Sequence, residues 1–241
     1  MKKSRNFIAR NEHQKALKAL FVPLAERYGR QRVWSDFITM SACAISNSCD
    51  MRFRTEREAL YLSVVEKYTK EEAEKMAQML AIVIQALTEN PAQDFLGEMF
   101  SLLNLHDEWK GQFFTPYHIG SFMAAVNLEN VAEQLQTKPY ITVNDCCCGA
   151  GCLLVAFANE AMKEKIDFQN RIIFVAQDLD FTAAMMCYIQ LTFLGCKAIV
   201  KVGNSLTDPF LPADLEGDKI WYTPMYLIGD VAQYLIKEVA A

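Results

Sequence analysis

After residue 138 the chain alternates between short β-rich runs and helix-length segments, and this alternation restricts the fold more than any other feature. The runs are Tyr140-Ile141-Thr142-Val143, Arg171 to Ala176 (RIIFVA) and Ala198 to Val202 (AIVKV). Between them lie Cys152 to Lys163 and Phe181 to Leu194, the second with Asp180 placed to cap its start and Gly195 to stop it. Strands separated by helices of this length join as parallel neighbours, because a tight hairpin cannot return the chain to the same end of a sheet. The fold class expected is therefore α/β, a parallel sheet with helices on both faces. Lys219-Ile220-Trp221-Tyr222 is a candidate fourth strand, and four strands make a small sheet for this architecture.

The first 110 residues have a different texture. Leu17, Leu20, Phe21, Leu24 and Tyr28 recur at helical spacing, and Val33, Phe37, Met40 and Ala44 repeat the pattern. Thr55 followed by Glu58, and Thr69 followed by Glu72, have the spacing of capping boxes. Asn90-Pro91 breaks the chain before Asp94 opens another amphipathic stretch. With 52% hydrophobic and 22% charged residues among 241, the chain can fill a packed core, and disorder over most of its length is excluded. Two domains are expected: a helical N-terminal domain over residues 1–110 and an α/β domain over 111–241.

No apolar run reaches the ~18 residues of a membrane span. The basic N-terminus lacks the apolar core of a secretory signal, so a cytoplasmic location is expected. Eight cysteines include three in a row, Cys146 to Cys148, and none shows C-x-x-C spacing. They read as reduced, buried thiols that pack as small hydrophobes, with no metal site. Charge is uneven: residues 1–35 carry nine Lys/Arg against Glu12 and Glu26, while the remainder carries fifteen against twenty-seven acids. Such an arm could meet phosphates. Equally, Lys15, Lys18 and Arg27 could form the solvated face of a helix.

In an open parallel sheet, ligands sit beyond the carboxyl ends of the strands. The first run leads into Asp145-Cys146-Cys147-Cys148-Gly149-Ala150-Gly151, where Gly149 and Gly151 let a ligand approach the backbone ahead of a helix N-terminus. The second leads into Gln177-Asp178, whose carboxylate can accept both hydroxyls of a ribose. The third leads into Gly203-Asn204-Ser205, an amide suited to a purine edge. Together they describe a nucleoside site. A dinucleotide site would place its glycines as G-x-G-x-x-G with the acid about 20 residues later. Here an acid precedes the glycines, which disfavours a pyrophosphate and suits the ammonium of an amino-acid tail. The cofactor expected is S-adenosylmethionine.

Upstream, Gly111-Gln112-Phe113-Phe114-Thr115-Pro116 ahead of an amphipathic helix resembles a signature of adenine-N6 DNA methyltransferases, above all the modification subunits of type I restriction systems and similar methylases of mobile elements. Asp94-Phe95-Leu96-Gly97-Glu98-Met99-Phe100 resembles the lead-in of that family, and the helical N-terminus its N-terminal domain, so the likeness spans about residues 10 to 226. Thr115 suits a helix N-cap and Pro116 the first helical position. The resemblance implies that Thr115 and Asp145 hold the methionine moiety, Gly149 and Gly151 shape the cofactor loop, Asp178 binds the ribose and Asn204 faces the adenine. It also implies a Rossmann-like methyltransferase domain and methyl transfer to adenine N6 of double-stranded DNA. Type I relatives take their recognition from a specificity subunit, so such a partner is implied too.

The likeness departs at the catalytic motif. Where the family reads Asn/Asp-Pro-Pro-Tyr/Phe, this chain has Thr223-Pro224-Met225-Tyr226, with Thr223, Pro224 and Tyr226 as the candidate catalytic residues. A threonine hydroxyl is a shorter and poorer acceptor for the target amine than an amide, and asparagine at 223 would restore one. Tyr226 would stack on the flipped base. The alternative is a catalytically weak or inactive cofactor-binding module or fragment within a larger DNA-modification complex.

Overall fold

A computed structural model of the chain describes residues 11–105, 115–211, 214–215 and 217–228. Five helices come first: α1 (Glu12–Tyr28), α2 (Arg30–Asn47), α3 (Arg54–Val65), α4 (Lys70–Glu89) and α5 (Phe95–Leu102). α6 (Tyr117–Thr137) leads into the order β1 (Ile141–Asp145), α7 (Cys152–Lys163), α8 (Phe168–Arg171), β2 (Ile172–Asp178), α9 (Phe181–Phe193), β3 (Lys197–Val202), β4 (Ile220–Tyr222) and α10 (Pro224–Ile228).

Local chemistry sets many of these boundaries. Asp180 accepts from Ala183 N at 3.1 Å and starts α9, while Gly195, with φ 69°, takes the left-handed turn that ends it. Thr69 and Glu72 form the expected capping box of α4. The second expected box is absent: α3 begins at Arg54 with Phe53 as its N-cap, and Glu58 instead accepts from Asn47 Nδ2 at 2.8 Å. Pro116, one position later than expected, caps α6, and Thr115 lies just outside that helix.

The sheet has the order β1-β2-β3-β4. β1, β2 and β3 are parallel, but β4 runs antiparallel to β3, with Ile199 opposite Tyr222 and Lys201 opposite Ile220. The expected all-parallel sheet is therefore corrected to a mixed one. Helices lie on both faces as expected, but one face carries only the short α10. The strands advance in one direction, and right-handed crossovers between neighbours that advance this way put every connecting helix on the same side. Phe174, Ala176, Ala198, Val200 and Trp221 face that side and join a buried cluster that continues into α1, α2 and α4, as far as Leu17. On the other face, Ile173, Ile199, Ile220, Tyr222 and Tyr226 form a smaller cluster, packed against Phe210, Leu215 and the short α10.

The amino-terminal helices lie on the outer side of α9. Trp34 of α2 donates to Met186 Sδ at 3.4 Å, and Ser35 pairs with Thr182 at 3.1 Å. Arg57 of α3 reaches the sheet itself. Its buried guanidinium donates to the Ile220 carbonyl at 2.6 Å and to Asp50 at 3.1 Å, and lies 4.2 Å from the Trp221 ring centroid. A buried cation is tolerated only where its charge is met and acceptors are supplied, and Asp50, Ser46 and the Ile220 carbonyl do this for Arg57. Several of the basic residues near the N-terminus are likewise paired: Lys15 with Glu12 at 2.6 Å and Arg27 with Glu72 at 2.9 Å.

Candidate cofactor site

The parallel pairing brings three of the sequence-predicted segments side by side. Asp145 stands opposite Ala176, and Asp178 opposite Val202, so the loops after β1, β2 and β3 leave the same end of the sheet. Backbone hydrogen bonds lock them together. Cys148 N donates to Gln177 O at 3.0 Å, and Gly203 N to Asp178 O at 2.9 Å. Asp178 joins the first two through its side chain, since Oδ2 accepts from Gly149 N at 2.8 Å while Oδ1 accepts from Asp180 N at 2.9 Å. Each carboxylate oxygen keeps a further lone pair for a ligand hydroxyl.

The glycines have separate reasons to be glycine. Gly149 and Gly151 adopt φ 53° and 91°, where other residues are strained. A Cβ on Gly151 would also lie 2.7 Å from Cys187 Sγ, so this position lets the loop close down on α9. Asn204 forms a turn of its own: its Oδ1 accepts from Leu206 N at 2.9 Å and its carbonyl from Asp208 N at 2.7 Å. Among the described residues its amide nitrogen has no partner and remains a donor for a ligand.

The electrostatics are one-signed. Burial, and also the negative charge of Asp178, push the Asp145 carboxyl above the ordinary carboxylate range, against a 3.2 Å hydrogen bond from Cys147 N. Among the described residues neither Asp145 nor Asp178 has a cationic partner. Two neighbouring carboxylates without a counter-charge favour a positive ligand and oppose a phosphate. The residues present thus fit S-adenosylmethionine, whose ammonium and sulfonium are both cationic.

Thr115 stands before α6. Gly120, one turn into that helix, meets Cys152 and Ala156 in the first turns of α7, so the start of α6 lies beside the end of the glycine loop. Gly111 to Phe114 of the signature lie outside the described residues.

The candidate catalytic residues are not brought to this end. Because β4 is antiparallel, Thr223 sits at the start of β3, where its N–H donates to Ala198 O at 3.1 Å. Its hydroxyl donates to Cys196 O at 2.7 Å and accepts from Ala198 N at 2.9 Å, and the side chain is fully buried. From Ala198 to Val202 the strand alone covers about 13 Å. Pro224 opens α10, and Tyr226, also buried, stacks on Tyr222 with ring centroids 4.8 Å apart. Thr223 thus fills two backbone groups of the sheet, and Tyr226 fills its second core.

A groove of about 710 Å³ follows the outer edge of β1 beneath α6, lined by Met123, Asn127, Val131 and Asn144 and reaching Asp145 and Cys146 at one end. Cys146 and Cys147 are exposed, a correction to the expectation that the thiols are buried; Cys43, Cys148, Cys152, Cys187 and Cys196 do pack inside. Two buried glutamines also act here: Gln177, to which the sequence reading gave no role, and Gln190, which it passed over. Gln177 ties the end of β2 to the loop after β3 through Asp208 O at 2.7 Å and Phe210 N at 2.9 Å. Gln190 does the same for the glycine loop, with Nε2 donating to Ala150 O at 2.8 Å. The available signal was an amide in an otherwise apolar helix.

Residues 92–230, more than half the chain, match the family model for N-6 DNA methylase. The chain belongs to the N-6 DNA methylase family. Membership makes it a DNA methyltransferase by family, and the matched segment begins just before α5 and covers the whole sheet. No curated protein matches the sequence. Among the described residues, no helix is long and apolar enough to cross a membrane.

Proposed function

We propose that this N-6 DNA methylase binds S-adenosylmethionine at the carboxyl ends of β1, β2 and β3 and serves the methylation of adenine N6 in double-stranded DNA, in the cytoplasm and as part of a restriction-modification type of system. The pair Asp145 and Asp178, set around the glycine loop and without a cationic partner among the described residues, carries the cofactor reading. In it Asp178 accepts the ribose hydroxyls, Asn204 meets the adenine ring, Gly149 and Gly151 admit the cofactor to the backbone, and Asp145 with Thr115 holds the amino-acid tail. When bound, S-adenosylmethionine supplies the electrophilic methyl group; the chain's part is to hold and orient it.

A specific observation favours a second reading for the transfer step. With Thr223 and Tyr226 built into the sheet at its opposite end, the base-holding groups come from elsewhere, from a partner subunit such as a specificity subunit or from further sequence. The chain is then the cofactor-binding module of a larger complex.

Calorimetry with S-adenosylhomocysteine, followed by transfer of labelled methyl to mixed-sequence duplex DNA, separates these readings. Cofactor binding with methyl transfer by the chain alone supports the enzyme. Binding with transfer only in cell extract supports the module. Binding of NAD but not of S-adenosylhomocysteine overturns both.

A further inference from the structure

The segment Asp94 to Phe100 is tied to the cofactor loop by a buried network that the proposed function does not use. Gln190, fully buried on α9, donates from Nε2 to Asp94 Oδ1 and to the Ala150 carbonyl, both at 2.8 Å. Its Oε1 accepts from Leu96 N at 3.2 Å. Asp94 in turn accepts from Gly97 N at 2.9 Å and so caps α5. The contact is close enough that a Cβ on Gly97 would collide with the Asp94 carboxylate, so a larger residue there would displace the cap. Asn159 of α7 braces the same segment by donating to Pro91 O at 2.9 Å.

Every hydrogen-bonding group of the Gln190 amide is therefore spent on two backbone segments that are 50 or more residues apart in sequence. One of them is Ala150, flanked by Gly149, whose N–H lies on Asp178, and by Gly151 with its positive φ. Glycines permit many conformations, so something outside the loop must select one. The Ala150 carbonyl is the natural point of control, because it fixes the loop two peptides after Gly149 N, which the Asp178 carboxylate holds.

We infer that Gln190 and Asp94 are positioning residues for the cofactor loop: they touch no ligand, and they hold Gly149 to Gly151 in the conformation that receives S-adenosylmethionine. The inference deepens the proposed function and rests on it for the identity of the ligand. Support for a bound cofactor then comes from a helix that lies outside the three strand-end loops, and α5 acts as a strut between the amino-terminal helices and the site.

The test compares Gln190→Met, which keeps the volume and removes the donors, with Leu17→Ala, a core deletion in α1 that forms none of these bonds. Asp94→Ala and Asp94→Asn complete the set, since asparagine retains an acceptor for Gly97 and Gln190. Affinity for S-adenosylhomocysteine is measured well below each Tm, together with amide hydrogen exchange of residues 148–152 in the ligand-free proteins. Gln190→Met and Asp94→Ala should each weaken binding by about tenfold or more and speed exchange in that segment, as outer-shell supports do elsewhere. Leu17→Ala should lower Tm while leaving both readouts near wild type, and Asp94→Asn should recover most of the affinity. Equal losses in Gln190→Met and Leu17→Ala at the same Tm would reduce the network to general stability and overturn the inference. If the wild type binds no S-adenosylhomocysteine, the cofactor reading fails instead. Exchange then decides alone, and unchanged exchange in Gln190→Met overturns the positioning role.

Discussion

Gly149 donates its backbone N–H to Asp178 Oδ2 at 2.8 Å, so the carboxylate that ends β2 also holds the glycine loop that follows β1. One side chain thereby sets the shape of a loop and offers an acceptor to whatever enters it. Losing it has two consequences at once.

Asp178→Ala should weaken S-adenosylhomocysteine binding by roughly 10- to 100-fold, the range expected when charge-assisted hydrogen bonds worth about 1.5–3 kcal/mol are lost. Asp178→Asn keeps one acceptor and should lie between. Calorimetry checks the order, and unchanged affinity in Asp178→Ala would move the ribose site elsewhere.

Gly151→Ala tests the loop without touching a polar group. The added methyl meets Cys187 Sγ at 2.7 Å in a backbone region that disfavours side chains. Destabilisation of about 1–3 kcal/mol is expected, with cofactor affinity reduced in the protein that remains folded. Denaturant unfolding and calorimetry measure the two effects. A variant of full stability and full affinity would show the loop to be looser than its contacts imply.

Thr223→Asn has opposite expectations in sequence and in structure. As a catalytic motif, the substitution restores an amide and raises methyl transfer. In the folded chain the residue is fully buried and its hydroxyl serves Cys196 O and Ala198 N, so asparagine should cost about 2 kcal/mol and add no transfer. Raised transfer at unchanged stability would show that this segment does reach substrate.

Asp94 provides a test by pH. Burial pushes its carboxyl from 3.8 to about 6, against the hydrogen bonds from Gln190 and Gly97. The folded protein therefore holds this proton more tightly than the unfolded chain does. The stability it contributes is fully present below about pH 4 and is lost as pH rises through about 6, a change of about 3 kcal/mol. Carboxyls held low by partners, such as Asp50 and Asp208, act in the opposite sense. The difference between wild type and Asp94→Asn isolates the residue: wild type should lose stability relative to the variant between pH 4 and pH 7. Parallel profiles would mean that Asp94 titrates as an ordinary carboxyl.

What the sequence determined by itself is local or periodic. A side chain that caps its own helix acts within a few residues, so Asp180, Gly195 and the Thr69–Glu72 box are legible in order, as are the apolar stripes of α1 and α2 and the three parallel strands. The strand-end residues Asp145, Asp178 and Asn204 converge for the same reason, because parallel pairing puts all three loops at one end. The direction of β4 has no such signal. Three residues that are all buried pair equally well either way, and the choice is made by distant partners: Arg57 on the Ile220 carbonyl, Tyr188 and Phe181 edge-on to Trp221, and the Thr223 hydroxyl on the backbone of β3. That choice carries Thr223 and Tyr226 away from the loops that follow β1, β2 and β3. Gln190 escaped notice on the same ground, since the two backbone segments it joins meet only when the helices have packed.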